Sequence, residues 1–317
     1  MSRKKIILDC DPGIDDSMAI IMACKSDKVN LQAVTTVSGN YPADVTSMNA
    51  LKIIELMERA DIPVARGMET PMVRPAPSDP FTHGRDGQAE NFLPDPSIPL
   101  DRRHAVDLII DLLKAHPGEM TLVCTGPMTN IAMALRKAPE IAGMIPEIIA
   151  ISGAFGLNQY AWRNATGDTP MSEWNVYVDP EAADLVYRSG IKLTALGLDV
   201  ATGFEVNLTD SDISALDHST KPEAKFLRQA IRFVNDRGFD AYCAVIDCLA
   251  VGYAIDPSLV KTFAGHVGIE TKGELTLGMT VLDSRHHFIW ENLPLIHIGQ
   301  TADHRRFLRL LMQLVLD

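Results

Sequence analysis

The run Ile6-Ile7-Leu8-Asp9-Cys10-Asp11-Pro12-Gly13-Ile14-Asp15-Asp16 decides how the chain begins to fold. Ile6 to Leu8 form a short apolar stretch that ends at a Pro-Gly turn signal, which predicts a buried strand. After Gly13, the residues Met18, Ala19, Ile21 and Met22 recur at helical spacing, so a helix follows. Four carboxylates therefore crowd the end of one strand and the first turn of one helix. Taken singly, Asp15 and Asp16 are explained by the helix dipole, and Asp9 or Asp11 by a turn or an N-cap. Taken together they repel one another unless a cation or a network of donors compensates them. Oxygen-only donors favour Ca²⁺ or Mg²⁺ over Zn²⁺, which draws His and Cys.

Working outward, strand-like and helix-like segments alternate. Strands are expected at Leu31 to Val37, Ile62 to Ala65, Met120 to Cys124, Ile145 to Ile151 and Lys192 to Leu196. Helices are expected at Ala43 to Arg59, Arg103 to Ala115, Met128 to Lys137 and Pro180 to Arg188. This order implies an α/β fold with a mostly parallel central sheet flanked by helices. Ligands in such folds bind beyond the carboxyl ends of the strands. Five of those ends carry small or polar residues: Asp9 and Asp11, Ser38-Gly39-Asn40, Thr125-Gly126-Pro127, Ser152-Gly153, and Gly197-Leu198-Asp199. Two long irregular stretches, Gly67 to Leu100 and Gly153 to Ser172, are placed to act as lids. The last third changes character. Helices at Lys221 to Asp236 and Ala241 to Ala254 precede strand-like runs near Val267, Leu275 to Leu282 and Leu295 to Ile298, then a helix at Asp303 to Leu316. With no Ser/Gly-rich linker between these parts, residues 1–317 read as a single domain with a small C-terminal helical/β cap.

The composition narrows the function. At 317 residues, 46% hydrophobic and 22% charged, the chain can bury a sizeable core. A net charge of −12 argues against nucleic-acid polymers or anionic membranes as partners. No stretch approaches membrane-spanning length, and the N-terminus lacks a signal-peptide core. Five cysteines without a CxxC pair fit reduced thiols, hence a cytoplasmic location.

Several motifs then carry a resemblance. DCDPGIDD, VSGN at Val37 to Asn40 and THGRDG at Thr82 to Gly87 resemble the inosine-uridine preferring nucleoside hydrolase family. So do TGPMTNIAMAL from Thr125, EWNVYVDPEAA from Glu173, LGLDV from Leu196 and GMTVLD from Gly278. The resemblance spans nearly the whole chain. It implies a tightly bound Ca²⁺, hydrolysis of the N-glycosidic bond of ribonucleosides, and a homodimer or homotetramer. By position it makes Asp11, Asp16 and Asp247 side-chain ligands of the metal, with the backbone carbonyl of Thr125 beside them. Asp11 resembles the general base that takes a proton from a metal-bound water, a role that suits a carboxylate next to a cation. Asp15, Asn40 and Asn175 match positions that hold the ribose, and Glu173 one that binds the 5′-hydroxyl. His83 resembles a histidine near the nucleobase, available for binding it and protonating it.

The chain also departs from the family pattern. Many members have a histidine immediately before the last metal Asp; here Ile246 stands there and cannot donate a proton. Leaving-group activation then falls to His83, a loop residue or stacking on Trp162, Trp174 or Tyr242. The family's Asn near the 5′-hydroxyl has two counterparts here, Asn164 and Asp168. Two other functions compete. One is a nucleoside- or ribose-binding protein that keeps the metal site but not catalysis. The other is a Mg²⁺ phosphohydrolase with Asp9 as nucleophile, which needs neither the Pro-Gly-x-Asp-Asp nor the Glu-Trp-Asn segment.

Overall fold

A computed structural model describes residues 3–77, 81–203 and 206–317. Residues 78–80 of the proline-rich stretch thus lie outside the described residues. Nine strands pair into one sheet: β1 (Lys4–Cys10), β2 (Val29–Thr36), β3 (Val64–Arg66), β4 (Met120–Cys124), β5 (Ile148–Ile151), β6 (Leu193–Leu196), β7 (Val260–Ile269), β8 (Thr280–Asp283) and β9 (Leu295–Ala302). Their order is β3-β2-β1-β4-β5-β6-β9-β7-β8. The first seven run parallel, while β7 is antiparallel to both β9 and β8. The C-terminal strands therefore extend the central sheet rather than standing apart as a cap. Among the described residues, no helix is long and apolar enough to cross a membrane.

Alternation along β1 explains why both faces are covered. Ile6, Leu8 and Cys10 point into one hydrophobic core, and Ile7 into the other. The first core takes the helices Ile14–Lys25, Ala43–Leu56, Pro222–Asp236, Cys248–Ile255 and His304–Leu316. The second takes Ala105–Ala115, Thr129–Lys137 and Pro180–Tyr187. The helix Ile14–Lys25 buries nine of its twelve residues, as expected of one apolar on nearly every side. A helix this deep fixes its N-terminus, and with it Asp15 and Asp16, rigidly against the sheet.

The strand order also reverses beside β1. The chain moves outward from β1 through β2 to β3, then returns to add β4 on the other side. Such a switch point leaves a crevice outside the carboxyl ends of β1 and β4. The five polar strand ends belong to β2, β1, β4, β5 and β6, which are consecutive in the sheet. They form one continuous rim.

Candidate active site

The rim is built from backbone first. Past the end of β1, the Cys10 carbonyl accepts the Val37 N–H at 3.0 Å, and the Asp9 carbonyl accepts the Thr125 N–H at 2.8 Å. Three loops are thereby drawn to one point. Asp11 sits there fully buried, with Oδ2 accepting the Asn40 N–H at 2.7 Å. Its Oδ1 is buried without a hydrogen-bond partner among the described residues. Asp16 accepts from Thr125 Oγ1 (2.7 Å), Asn40 Nδ2 (3.2 Å) and the Gly13 and Asp11 N–H groups (3.2 and 3.3 Å). Asn40 Nδ2 also donates to the Asp11 carbonyl at 3.1 Å.

Two glycines make this approach possible. A β-carbon at Gly39 would stand 2.1 Å from Asp11 Oδ2, and one at Gly13 would stand 2.5 Å from His83 Nδ1. Replacing Gly39 by alanine must push the Asp11 carboxylate off the Asn40 N–H. Because a displacement of about 1 Å can cost about 100-fold in rate, Gly39→Ala is expected to lower kcat/KM by about that factor. A steady-state assay alongside a melting curve checks this; unchanged kcat/KM in the folded variant would contradict the geometry.

Asp247 arrives from the far end of the chain. Sequence periodicity places it inside an apolar helix, but the structure breaks that run. A 3₁₀ turn, Ala241–Ala244, ends before it, and the helix Cys248–Ile255 begins after it. Asp247 occupies the N-cap position without capping its own helix. Oxygens of Asp15, Asp16 and Asp247 lie within 4.8 Å of one another. The tightest trio thus contains Asp15, which the resemblance assigns to the ribose, in place of Asp11.

Burial raises every carboxyl in the group, and repulsion by neighbouring carboxylates adds to it at Asp11, Asp15 and Asp247. Burial comes first, pushing Asp15 up to about 7, with Asp16 adding to it. Asp11 is raised well above its ordinary value by burial and then by Asp16, and Asp247 by burial and then by Asp15 and Asp16. Asp16 is raised by burial, with the Thr125 hydroxyl as the main opposing influence. Two unit charges at this range repel by about 3–4 kcal/mol at an effective dielectric of about 20. Three such pairs rival the whole stability of a typical domain, about 5–15 kcal/mol. The helix dipole returns only about 0.3–1 kcal/mol per acid. The bare group cannot stay fully ionised, and helix capping does not explain it.

The remaining residues fall into two sets. Asn175 Nδ2 donates to the Thr125 carbonyl (2.7 Å) and the Ile151 carbonyl (3.2 Å), bridging the ends of β4 and β5. Glu173 caps the short helix Trp174–Val178: it accepts from the Asn175, Val176 and Gly153 N–H groups at 2.8, 3.1 and 3.1 Å. Its carboxyl is pushed up to about 7 by burial. His83 is buried beside the helix start, where Nδ1 accepts the Ile14 N–H at 3.1 Å. Its 4.0 Å distance to Asp15 Oδ1 is too long for a hydrogen bond. With Nδ1 as acceptor, the neutral ring carries its proton on Nε2.

Both loop residues expected near the 5′-hydroxyl have partners within the protein. Asp168 is exposed and accepts the Tyr177 hydroxyl at 3.1 Å. The Thr166 and Gly167 N–H groups both bond the Ser172 carbonyl, closing the loop on itself and turning Asp168 outward. Asn164 donates to Thr202, at 2.9 Å to Oγ1 and 3.3 Å to the carbonyl. The candidate stacking aromatics are occupied too. Tyr242 is fully buried against Phe307 and His304, Trp174 stacks on Tyr177, and Trp162 packs by Leu198.

Sequence reasoning placed Asp9 and Asp199 at strand ends but missed the partners that make them supports, and missed Asn49 and Gln88. Asp9 Oδ1 accepts from Thr35 Oγ1 at 2.6 Å and Asn130 Nδ2 at 2.8 Å, behind the acidic group. Asp199 holds the start of the long loop through the Phe155 and Leu157 N–H groups, at 2.8 and 2.7 Å. Asn49 and Gln88, both buried, tie the His83 loop down. A polar residue at an apolar helix position was the available signal for Asn49.

Known proteins match this arrangement along its length. The sequence profile of the inosine-uridine preferring nucleoside hydrolases matches residues 6–309. A pyrimidine-specific ribonucleoside hydrolase, RihA, of Shewanella woodyi is 39% identical over 286 residues, covering 88% of each chain. The inosine-uridine preferring nucleoside hydrolase of Leishmania major is 39% identical over 288 residues, covering 89% of this chain and 88% of its own. Among solved structures, the plant nucleoside hydrolase PpNRh1 superposes with a TM-score of 0.87 at 30% identity, covering 99% of both chains. The purine-preferring ribonucleoside hydrolase of Gardnerella vaginalis gives 0.85 at 30% identity, covering 99% of this chain and 98% of its own. With its acid-rich rim at the switch point of the sheet, the chain belongs to the inosine-uridine preferring nucleoside hydrolase family, whose members are N-glycosyl hydrolases.

Proposed function

We propose that this chain is a Ca²⁺-dependent ribonucleoside hydrolase that splits the N-glycosidic bond into ribose and a free base. The observation that carries the reading is the buried, unpartnered Oδ1 of Asp11 within a group of carboxylates that cannot all be ionised alone. A hard cation fits such a group, because the ligand atoms that converge are carboxylate oxygens. Asp11, Asp16, Asp247 and the Thr125 carbonyl are the residues that would hold it. When bound, the ion offsets the carboxylates and acidifies water at the site.

The chain's own residues supply the rest. Asp11 is fixed by the Asn40 N–H through one oxygen, which leaves Oδ1 to take the proton of the attacking water. Asp15 is the open member of the tight trio, with 13% of its side chain exposed, and it meets a ribose hydroxyl. Asn40, on the loop after β2, and Asn175, in the short helix Trp174–Val178, complete the set that holds the ribose. Glu173 uses three backbone donors to fix its carboxylate, and about four acceptor positions on that group leave one for the 5′-hydroxyl. As the bond to the base lengthens, positive charge develops on the sugar, which this ring of carboxylates favours. The base must leave protonated. Ile246 packs into the first core and has no proton to give; with Nδ1 held as an acceptor, His83 assists by hydrogen-bonding the departing base through its Nε2–H, while solvent supplies the proton that neutralises the base.

We read the enzyme as a single domain acting as a homodimer or homotetramer. Its five free thiols suit the cytoplasm. The test of activity is direct. Purified protein with Ca²⁺ should release reducing sugar from at least one of uridine, cytidine, inosine and guanosine; no ribose from any of them overturns the reading.

A further inference from the structure

One buried amide, that of Asn49, bonds both the loop that carries His83 and the acidic turn, beside the ties made by Gln88 and by His83 itself. Asn49 lies on the helix Ala43–Leu56 and is 2% exposed. Its Nδ2 donates to two carbonyls, Pro12 and Asp86, each at 3.1 Å. Pro12 stands between Asp11 and Gly13 in the acidic turn, and Asp86 lies three residues beyond His83. An –NH₂ group has two hydrogens, and here each one holds a different functional segment. Gly87 allows the contact: its φ is +74°, and a β-carbon there would stand 2.7 Å from Asn49 Nδ2.

The loop is stiff on its own side of that amide. The Asp86 carboxylate accepts the Gln88, Glu90 and Phe92 N–H groups at 2.8, 2.9 and 2.8 Å. These bonds hold Ala89, Glu90 and Phe92 at φ values of 60°, 55° and 46°, a left-handed run that residues with a β-carbon seldom adopt. The His83 carbonyl accepts the Ala89 N–H at 3.0 Å, closing the loop around Asp86. Moving Asp86 therefore moves His83 as part of one body.

We infer that Asn49 is a positioning residue that sets His83 against the leaving base by locking its loop to the Pro12 turn. The inference rests on the role given to His83 above. Asn49 touches neither the carboxylate oxygens nor the ribose-holding side chains in the described contacts, so its effect passes through the loop.

A double-mutant cycle with His83→Ala tests this. Asn49→Ala should lower kcat/KM on ribonucleosides by about 10–100-fold, the range expected of a catalytic group misplaced by about 1 Å. In the His83→Ala background the same change should cost less than about twofold, because the two act as a unit. A nitrophenyl riboside, whose leaving group needs no proton, should lose less than about threefold to Asn49→Ala, since it does not depend on that hydrogen bond to the departing group. Full additivity with His83→Ala, or an equal loss on the nitrophenyl substrate, overturns the inference while leaving the hydrolase reading intact. A His83→Ala variant with normal kcat/KM overturns it together with the role of His83, and ribose release by the unmodified chain judges the hydrolase reading separately. If Asn49→Ala does not fold, Gly87→Ala presses on the same contact from the loop side, and the same two comparisons apply.

Discussion

Asp11→Asn is expected to lower kcat on ribonucleosides by about 10²–10⁴-fold, the contribution of a positioned general base, while leaving the fold in place. The asparagine oxygen can still accept the Asn40 N–H that now bonds Asp11 Oδ2 at 2.7 Å, so the loop after β2 keeps its anchor. The change removes a carboxyl whose pKa is raised by burial and by Asp16. It therefore relieves a conflict in the metal-free protein, and its melting temperature should hold or rise. Activity and stability are thus expected to move apart. A variant destabilised in parallel with its lost activity would make Asp11 a structural residue, and near-normal turnover would exclude it as the base. The comparison needs saturating Ca²⁺, so that lost metal affinity is not mistaken for lost base catalysis.

The acidic turn behind this expectation was legible from the first sixteen residues, because turn chemistry is local, whereas the role of Asp11 as base is what the family resemblance implies. Pro12-Gly13 ends one short apolar stretch and opens a stretch of helical spacing, and both appear in the structure as β1 and the helix Ile14–Lys25. Met120–Cys124 matches its expected bounds, and the alternation of elements implied the parallel sheet. What local patterns do not encode is which strands become neighbours. The return from β3 to β4 beside β1 comes from long-range packing, and so does the joining of β7, β8 and β9 to the same sheet. Asp247 shows the same limit at the scale of one turn. Its neighbours are apolar enough to read as continuous helix, yet the break at Val245 is what turns its carboxylate toward Asp15 and Asp16. Asp168 shows how a loop can close on itself: the Thr166 and Gly167 N–H groups bond the Ser172 carbonyl, and the exposed carboxylate accepts the Tyr177 hydroxyl. Helix ends depend on single residues, as at Glu58, whose φ of 54° follows the last turn of Ala43–Leu56, so that the helix stops short of the expected end at Arg59.

Removing the cation should abolish turnover and also make stability depend on pH in a particular direction. In the metal-free protein, Asp15 and Glu173 are pushed up to about 7, chiefly by burial, from ordinary values of 3.8 and 4.5. A carboxyl whose pKa is raised on folding binds its proton more tightly in the folded state. Its contribution is therefore fully present below the unfolded value and is lost as pH rises through the folded one. Metal-free protein should melt at progressively lower temperature between about pH 4 and pH 7, as carboxylates are forced to ionise against one another. Ca²⁺ competes with those protons, so the melting temperature it restores should grow over the same interval. At a free concentration about 100 times its dissociation constant, the ion contributes about 2.7 kcal/mol. Melting curves of chelator-treated protein across this pH range, with and without added Ca²⁺, read both effects. A flat metal-free profile, or a Ca²⁺ increment that shrinks as pH rises, would mean that the carboxylates are satisfied by the protein alone. The trio of Asp15, Asp16 and Asp247 would then owe its spacing to packing, and the search for the activating charge would move away from the end of β1.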